Sequence, residues 1–580
     1  MCRFPGLETG LWAKVLSGLS KTARWSAAPH GRDEIRASLS ADSCHTVAVP
    51  RILFLFALIL IACLPRFIDL SSRVMHTDEA VHAVTTARIL EGGGFRYDPT
   101  DYHGPTLHFS TVPLALIRGQ ATFASLDELT LRAIPAVYGV ALVLLCFAFR
   151  RELGTGGATV AAWLIALSPA MVFYSRYYIM EMMFVVFLGL TALGVLRWWQ
   201  TRRTAWLVIA AIATGLLHAT KETFVLHMAA GIGAVLLLHG RNAPGFALRI
   251  AREHGRTLLI AGLGAFALSS LLLSDFLRNP RAIFDGINTY FLYLQRAEGS
   301  EAGHLNPWYA YLVFYYNLRP TAGFWYSEFL VLPAAAFGVW SAFRWRDVPG
   351  GAFIRWLALY VLLGTLIYSS IPYKTPWSYL GIHHGVLILA AWGIARLLPS
   401  RGSGFRLPAV VGALALAAIS THAVVYNQRS FERPGAPAQP HVYGHTLPEF
   451  LSLVEFIEQL ERTHERPMSL LVAEESNGWP LPWYRRHVLG HNRYGDTLPR
   501  PFDDPPDIVA VSRLHFPSAA QMLNQTHDQR IFPLRPGVNL HVYFRQNLLP
   551  DPEAAEPAGA EQTLGPAESG TGNGNGEAEE

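Results

Sequence analysis

Apolar and polar positions follow one another along this chain in long blocks. Apolar runs recur near 51–70, 130–149, 158–174, 180–199, 204–219, 222–239, 257–275, 322–343, 353–371, 378–398 and 407–425. Each is close to the ~20 residues that a helix needs to cross a bilayer core, with the shorter ones at the limit. The pattern predicts about eleven transmembrane helices. The run 106–117 is too short to span and is expected to lie along the interface. Beyond residue 426 the pattern changes. Short β-like runs at 469–473, 507–512 and 538–544 accompany one amphipathic helix at 448–462, which predicts a small α/β domain over 429–550.

Composition agrees with a membrane setting. Hydrophobic residues make up 51% of the chain and charged residues only 16%, and the mean hydropathy is +0.24. The fold class is therefore an all-α polytopic membrane protein, its transmembrane domain over 51–428, with a small C-terminal α/β extracytoplasmic domain. Residues 1–50 are polar and lack a continuous apolar core, so they read as a disordered cytoplasmic leader and not as a signal peptide. The Pro-, Gly-, Ala- and Glu-rich stretch 551–580 reads as a disordered acidic tail. No internal repeat is present. Four cysteines give neither a disulfide framework nor a zinc spacing.

Charge placement sets the expected orientation. With the N-terminus cytoplasmic, the inner connections carry Arg150 and Arg151; Arg197, Arg202 and Arg203; Arg241 to Arg256; Arg344, Arg346 and Arg355; and Arg396, Arg401 and Arg406. That is the positive-inside pattern of a multi-pass protein of the cytoplasmic (inner) membrane. The polar residues with chemical potential then all fall on the outer side.

The first outer loop, 71–129, carries adjacent carboxylates at Asp78 and Glu79. A surface helix capped by Thr77 or Asp78 is expected there, with Ala80, Ala83, Val84, Ala87 and Leu90 on one face and Glu79, His82 and Thr86 on the other. The acidic pair could supply a base that takes a proton from an acceptor; equally, Asp78 could serve only as the cap. His103, beside the Gly104-Pro105 bend, suits a phosphate or a sugar hydroxyl as well as a lipid headgroup. Arg176 and Glu181 share a short outer turn, where a carboxylate beside an apolar run needs a partner. Lys221, Glu222, Tyr373 and Lys374 occupy two further outer corners. A lone Lys at a helix end usually snorkels, but two on the face that holds the acids could bind an anionic carrier. His383 and His384 read as ordinary polar residues of the bundle. The outer loop 275–319 is rich in Tyr and could cover a site. No Gly-rich nucleotide loop, metal-ligand spacing or nucleic-acid pattern is present.

The order HTDEAVHA, YHGPTLHF, YYIMEMMF, ATKETF and YKTPWSYLGIHHG resembles the GT-C glycosyltransferases, in particular the family 39 branch of protein O-mannosyltransferases and aminoarabinose transferases. It is most similar to the flippase-associated group of archaeal N-glycosylation. The resemblance covers roughly 50–425. It implies transfer of a sugar, with inversion, from a polyprenyl-phosphate-linked donor to a glycan, lipid or protein acceptor on the extracytoplasmic face. Asp78 is then the implied base with Glu79 beside it, and Lys221, Lys374 and His103 are implied contacts of carrier or substrate. His103-Gly104-Pro105 departs from the family's His-Pro-Pro or Lys-Pro-Pro, with Thr106 at its second Pro, and Glu181 stands where relatives often have Asp. Membrane lipid is an implied partner. No cofactor is firmly implied, and the question of a divalent metal stays open. The group's name also implies an alternative, a non-catalytic accessory in flipping lipid-linked glycans. A secondary transporter would show inverted repeats and midplane charges, which this chain lacks.

Overall fold

The computed structural model describes residues 42–99, 103–297, 305–398, 407–499 and 505–549. The acidic tail expected at 551–580 and most of the expected leader lie outside them. The chain divides into two compact units, 1–56 and 57–580.

The second unit contains six stretches long and apolar enough to cross a membrane: Glu128–Leu167, Glu181–Thr201, Phe224–Leu273, Gly351–Ser370, Pro376–Leu397 and Leu407–Glu432. Leu53–Phe67, Thr106–Ile117, Thr204–His218 and Val331–Arg344 are shorter apolar helices. Every apolar run of the sequence therefore overlaps a helix, but length and composition support six spans and leave the figure of eleven open. Two boundaries differ from expectation. The run at 158–174 breaks after Leu167, and the run at 322–343 becomes helical only at Val331.

The break after Leu167 follows from Pro169, which has no N–H to donate to the carbonyl of Ile165. Arg66 supplies the missing donors. Its Nη2 reaches the Ile165 oxygen at 3.0 Å and its Nη1 the Ala166 oxygen at 2.9 Å. The next freed donor, the N–H of Ala170, goes to Glu328 Oε1 at 2.9 Å. Glu328 lies in the non-helical stretch before Val331 and also accepts from Ser168 Oγ at 2.7 Å. One buried cation and one buried anion thus take over the hydrogen bonds of a broken helix.

Helix–helix contact relies on small residues, as expected where apolar side chains gain little by leaving lipid. A Cβ at Gly393 would overlap the carbonyl oxygen of Ala334, and one at Gly338 would overlap that of Leu389. The two backbones therefore meet directly.

The first-loop helix is Thr77–Leu90, and its cap differs from expectation. His76 is the N-cap: its Nδ1 accepts the Asp78 N–H at 3.0 Å, while Glu79 Oε2 accepts the His76 N–H at 3.1 Å. Neither Thr77 nor Asp78 caps the helix, so the Asp78 carboxylate is left for other contacts. The helix is not a surface element, because Glu79, His82 and Thr86 are buried along with the alanines. Glu79 is fully enclosed. Arg132 reaches both of its oxygens at 2.8 Å, and the Tyr178 N–H adds a bond of 2.9 Å. Arg73 stands 3.3 Å away. The pair of Glu79 and Arg132 ties the loop helix to Glu128–Leu145.

The C-terminal region forms a five-stranded sheet: β1 (Leu470–Ala473), β2 (Asn492–Gly495), β3 (Ile508–Val511), β4 (His527–Arg535) and β5 (Val538–Arg545), in the order β2-β1-β3-β5-β4. β1 runs parallel to β2 and β3, whereas β5 is antiparallel to β3 and β4. Helix Leu451–His464 covers one face through Ile457 and Val472, and helix Phe516–Leu523 covers the other through Ala519 and Leu471. β1 and β3 are buried on both faces, so they read as apolar runs. β2 (NRYG) and β4 (HDQRIFPLR) lack that signal and escaped the sequence reading.

Burial alone would raise the Glu79 carboxyl, but the guanidiniums of Arg132 and Arg73 hold it far below its ordinary 4.5. Its contribution to stability is therefore complete above about pH 4.5 and declines as pH falls through the lower folded value. Glu79→Gln leaves Arg132 buried without a counter-charge and is expected to cost about 3–5 kcal/mol. In detergent its thermal midpoint should fall well below that of the wild type at pH 7, with the gap narrowing in acid. Gly393→Leu is expected to cost about 1–3 kcal/mol by forcing two helices apart, read as a lower midpoint in the same assay.

Candidate functional site

A cavity of about 1020 Å³ opens where the first loop, three other helix connections and the C-terminal sheet meet. Its wall includes Asp78, His103, Glu181, Lys221, Glu222 and Tyr373. Six of the nine residues singled out in the sequence therefore share one space. The Tyr-rich outer loop contributes Tyr290 and Tyr311 to the same wall.

Asp78 is the accessible member of the acidic pair. Its side chain is 23% exposed, and the nearest titratable nitrogen among the described residues is His76 Nδ1 at 3.9 Å. That nitrogen already accepts the Asp78 N–H, while Nε2 faces the Tyr443 oxygen at 3.2 Å. His76 is thus a neutral ring protonated on Nε2. Burial lowers its pKa from the usual 6.5, outweighing the pull of the neighbouring Asp78 and Glu79. Asp78 consequently faces the cavity with no cation among the described residues to neutralise it.

Behind Asp78 lie two pairs built from adjacent residues. Lys221 Nζ meets Glu181 Oε1 at 2.6 Å, and the other Glu181 oxygen is buried with no hydrogen-bond partner among the described residues. Glu222 meets His103 Nδ1 at 2.7 Å and the Tyr97 hydroxyl at 2.9 Å. Burial would raise the Glu222 carboxyl, but the facing His103 and these hydrogen bonds hold it at about 2. The closeness of the two loops depends on Gly104, where a Cβ would overlap the carbonyl oxygen of Ala219. Glycine in the His-Gly-Pro motif is therefore a packing requirement, since it lets His103 reach Glu222.

Three expectations need correction. Glu79, expected beside the base, is locked to Arg132 and does not line the cavity, because a fully buried carboxylate must take the nearest guanidinium. Arg176 pairs neither with Glu181 nor with the cavity. It donates to the carbonyl oxygens of Pro65, Ile68 and Asp69, so it caps the end of the first helix and fastens the start of the first loop. Lys374 is 1% exposed, and its ammonium donates to the carbonyl oxygens of Asn306 and Ile371. It fastens the outer loop to its own corner, and its neighbours Tyr373 and Thr375 line the cavity instead.

The sequence reading missed residues that come from the sheet. Glu475, Asn477, Trp479 and Arg535 line the cavity opposite the spans, and nothing in local sequence marks them, since only the strand order brings them together. His383, expected to be a polar residue of the bundle, joins Glu328 at 3.1 Å and Tyr316 at 2.8 Å in a buried polar cluster outside the cavity. A carboxylate at Glu328 beside an apolar run needs such a buried partner. Among the described residues no group of three or more His, Cys, Asp or Glu side chains is placed to hold a metal ion.

Residues 111–263 match the family model described as dolichyl-phosphate-mannose-protein mannosyltransferase. No curated protein sequence matches the chain. Among solved structures, ArnT from Cupriavidus metallidurans bound to undecaprenyl phosphate superposes with a TM-score of 0.57 at 14% identity, covering 86% of this chain and 99% of that one. The archaeal oligosaccharyltransferase AglB from Archaeoglobus fulgidus, in complex with an inhibitory peptide and a dolichol-phosphate, gives 0.50 at 12% identity, covering 87% and 75%. The chain thus shares the fold of these two membrane proteins, and residues 111–263 carry the match to the mannosyltransferase family model.

Proposed function

We propose that this protein is a membrane glycosyltransferase that moves a sugar from a polyprenyl-phosphate donor to an acceptor on the extracytoplasmic face. The observation that carries the reading is Asp78, the one carboxylate of the first-loop pair that opens into the cavity, with Lys221 on the same wall. The fold, and the lipid phosphates bound by the two structural neighbours, support the donor class. The basic connections identified in the sequence favour the outer side for the cavity.

The chemistry follows from these positions. The acceptor's hydroxyl or amide attacks the anomeric carbon, and its proton passes to the Asp78 carboxylate. The bond between that carbon and the phosphate oxygen breaks on the opposite face, so a single displacement inverts the centre. The phosphate leaves with the bonding pair, and the Lys221 ammonium stabilises its charge. His103 and Glu222 offer a donor and an acceptor to the sugar hydroxyls, and Tyr373 adds an aromatic edge. Glu181 holds Lys221 in place, whereas Glu79, Arg176 and Lys374 maintain the walls.

In proteoliposomes supplied with a radiolabelled polyprenyl-phosphate-sugar panel, Asp78→Asn is expected to lower transfer by about 10²- to 10⁴-fold. Its thermal midpoint, and the stabilisation given by undecaprenyl phosphate, should match those of the wild type. Full transfer by Asp78→Asn would remove the base from this scheme. Carrier binding without transfer by either protein, across the panel, would replace the enzyme with an accessory in flipping lipid-linked glycans.

A further inference from the structure

β1, β3 and β4 point the same way, because β1 and β3 are parallel and β5 is antiparallel to both β3 and β4. Their carboxyl ends therefore share one edge of the sheet. After β1 the chain passes to β2 on one side, and after β3 it passes toward β4 and β5 on the other. Adjacent strands whose connections part in this way form a switch point, and in open α/β sheets ligands bind in the crevice beyond the carboxyl ends there. In this protein that crevice opens into the cavity. The segment after β1 contributes Glu475, Asn477 and Trp479, and the end of β4 contributes Arg535.

The crevice is held in shape from below. Glu474, buried under the loop, accepts the N–H groups of Ser476 and Gly478 at 2.8 and 3.0 Å and pairs with Arg535 Nη2 at 2.7 Å. Ser512, just after β3, donates to Glu475 Oε1 at 2.8 Å across the switch point. Asn477 has φ +55°, a left-handed conformation that is uncommon for a non-glycine residue. The strained position displays its side chain in the open. Arg535 keeps its buried Nε without a hydrogen-bond partner among the described residues. Trp377 and Tyr443 stand edge to face on the wall nearby, with ring centroids 5.8 Å apart.

Planar amide, carboxylate and guanidinium groups next to aromatic rings suit one ligand chemistry above others. A sugar ring offers a rim of hydroxyls for bidentate hydrogen bonds and a face of C–H groups for aromatic stacking. We infer that the carboxyl edge of the sheet, formed by Glu475, Asn477, Trp479 and Arg535, is an acceptor subsite that binds a saccharide. The inference rests on the reading of the cavity as a sugar-transfer site and adds the class of acceptor. The Trp479 carbonyl lies 3.5 Å from the Thr77 hydroxyl, so the subsite borders the residue next to the base.

The test is saturation-transfer NMR on the full chain in nanodiscs, with neutral and uronic-acid-containing oligosaccharides as probes and a Ser/Thr-containing peptide as control. Saccharide signals are expected with the wild type. Asn477→Gly, which suits the backbone angle, and Arg535→Lys should each weaken saccharide binding about tenfold, with unchanged stabilisation by undecaprenyl phosphate. Signals of wild-type strength in both variants, or signals from the peptide and from no saccharide, would overturn the inference. Asp78→Asn should keep its saccharide signals. If it also keeps full transfer, the proposed base falls while the subsite stands; if saccharide signals are absent and transfer depends on Asp78, the subsite falls and the enzyme stands.

Discussion

Everything around the cavity hangs on the pair between Glu79 and Arg132. A carboxylate and a guanidinium with no access to water attract strongly, but removing both from water is costly. The geometry offsets that cost with two bonds of 2.8 Å and further donors from Tyr178 and His76. The remaining guanidinium nitrogen, Nη1, reaches the carbonyls of Leu70 and Arg73. One side chain of a membrane helix thereby fixes the start of the loop helix, its cap and the turn before it. Asp78 can face open space because its neighbour is held so firmly. The two acids do different work through environment alone.

The same logic recurs wherever a helix is interrupted. At Ser168-Pro169 the lost backbone bonds are replaced by Arg66 from one side and Glu328 from the other. At the end of the first helix Arg176 collects three carbonyls, and at the outer corner Lys374 collects two. At the outer ends this kind of bond fastens the chain, and inside the membrane, as at Ser168-Pro169, loose carbonyls must find donors within the protein. Long cationic side chains can reach them.

That rule explains what could and could not be read in advance. The apolar runs, the loop helix, the helix 106–117, β1, β3 and β5 were legible, because burial on a membrane or sheet face leaves a periodic mark in the sequence. The cluster of Asp78, His103, Glu181, Lys221, Glu222 and Tyr373 was legible from common sidedness. The roles of Glu79, Arg176 and Lys374 were not. A charged residue at a helix end looks the same whether it serves a ligand or a carbonyl, and only the folded distances separate the two. Arg535 and Asn477 were out of reach for another reason: they join the cavity through strand order, a property of the whole sheet.

The pairing of Lys221 with Glu181 has a bearing on how the cavity is emptied. In the proposed transfer, a phosphate arriving at Lys221 would meet an ammonium that already has a carboxylate at 2.6 Å, with Glu222 the next residue along the chain. Phosphate and Glu181 would then compete for one cation, so the phosphate would be held against a rival already in place. Such a site gives up tightness in exchange for turnover. In that scheme, once the sugar has been transferred, the carboxylate would be in position to reclaim the lysine and release the bare lipid phosphate to the bilayer.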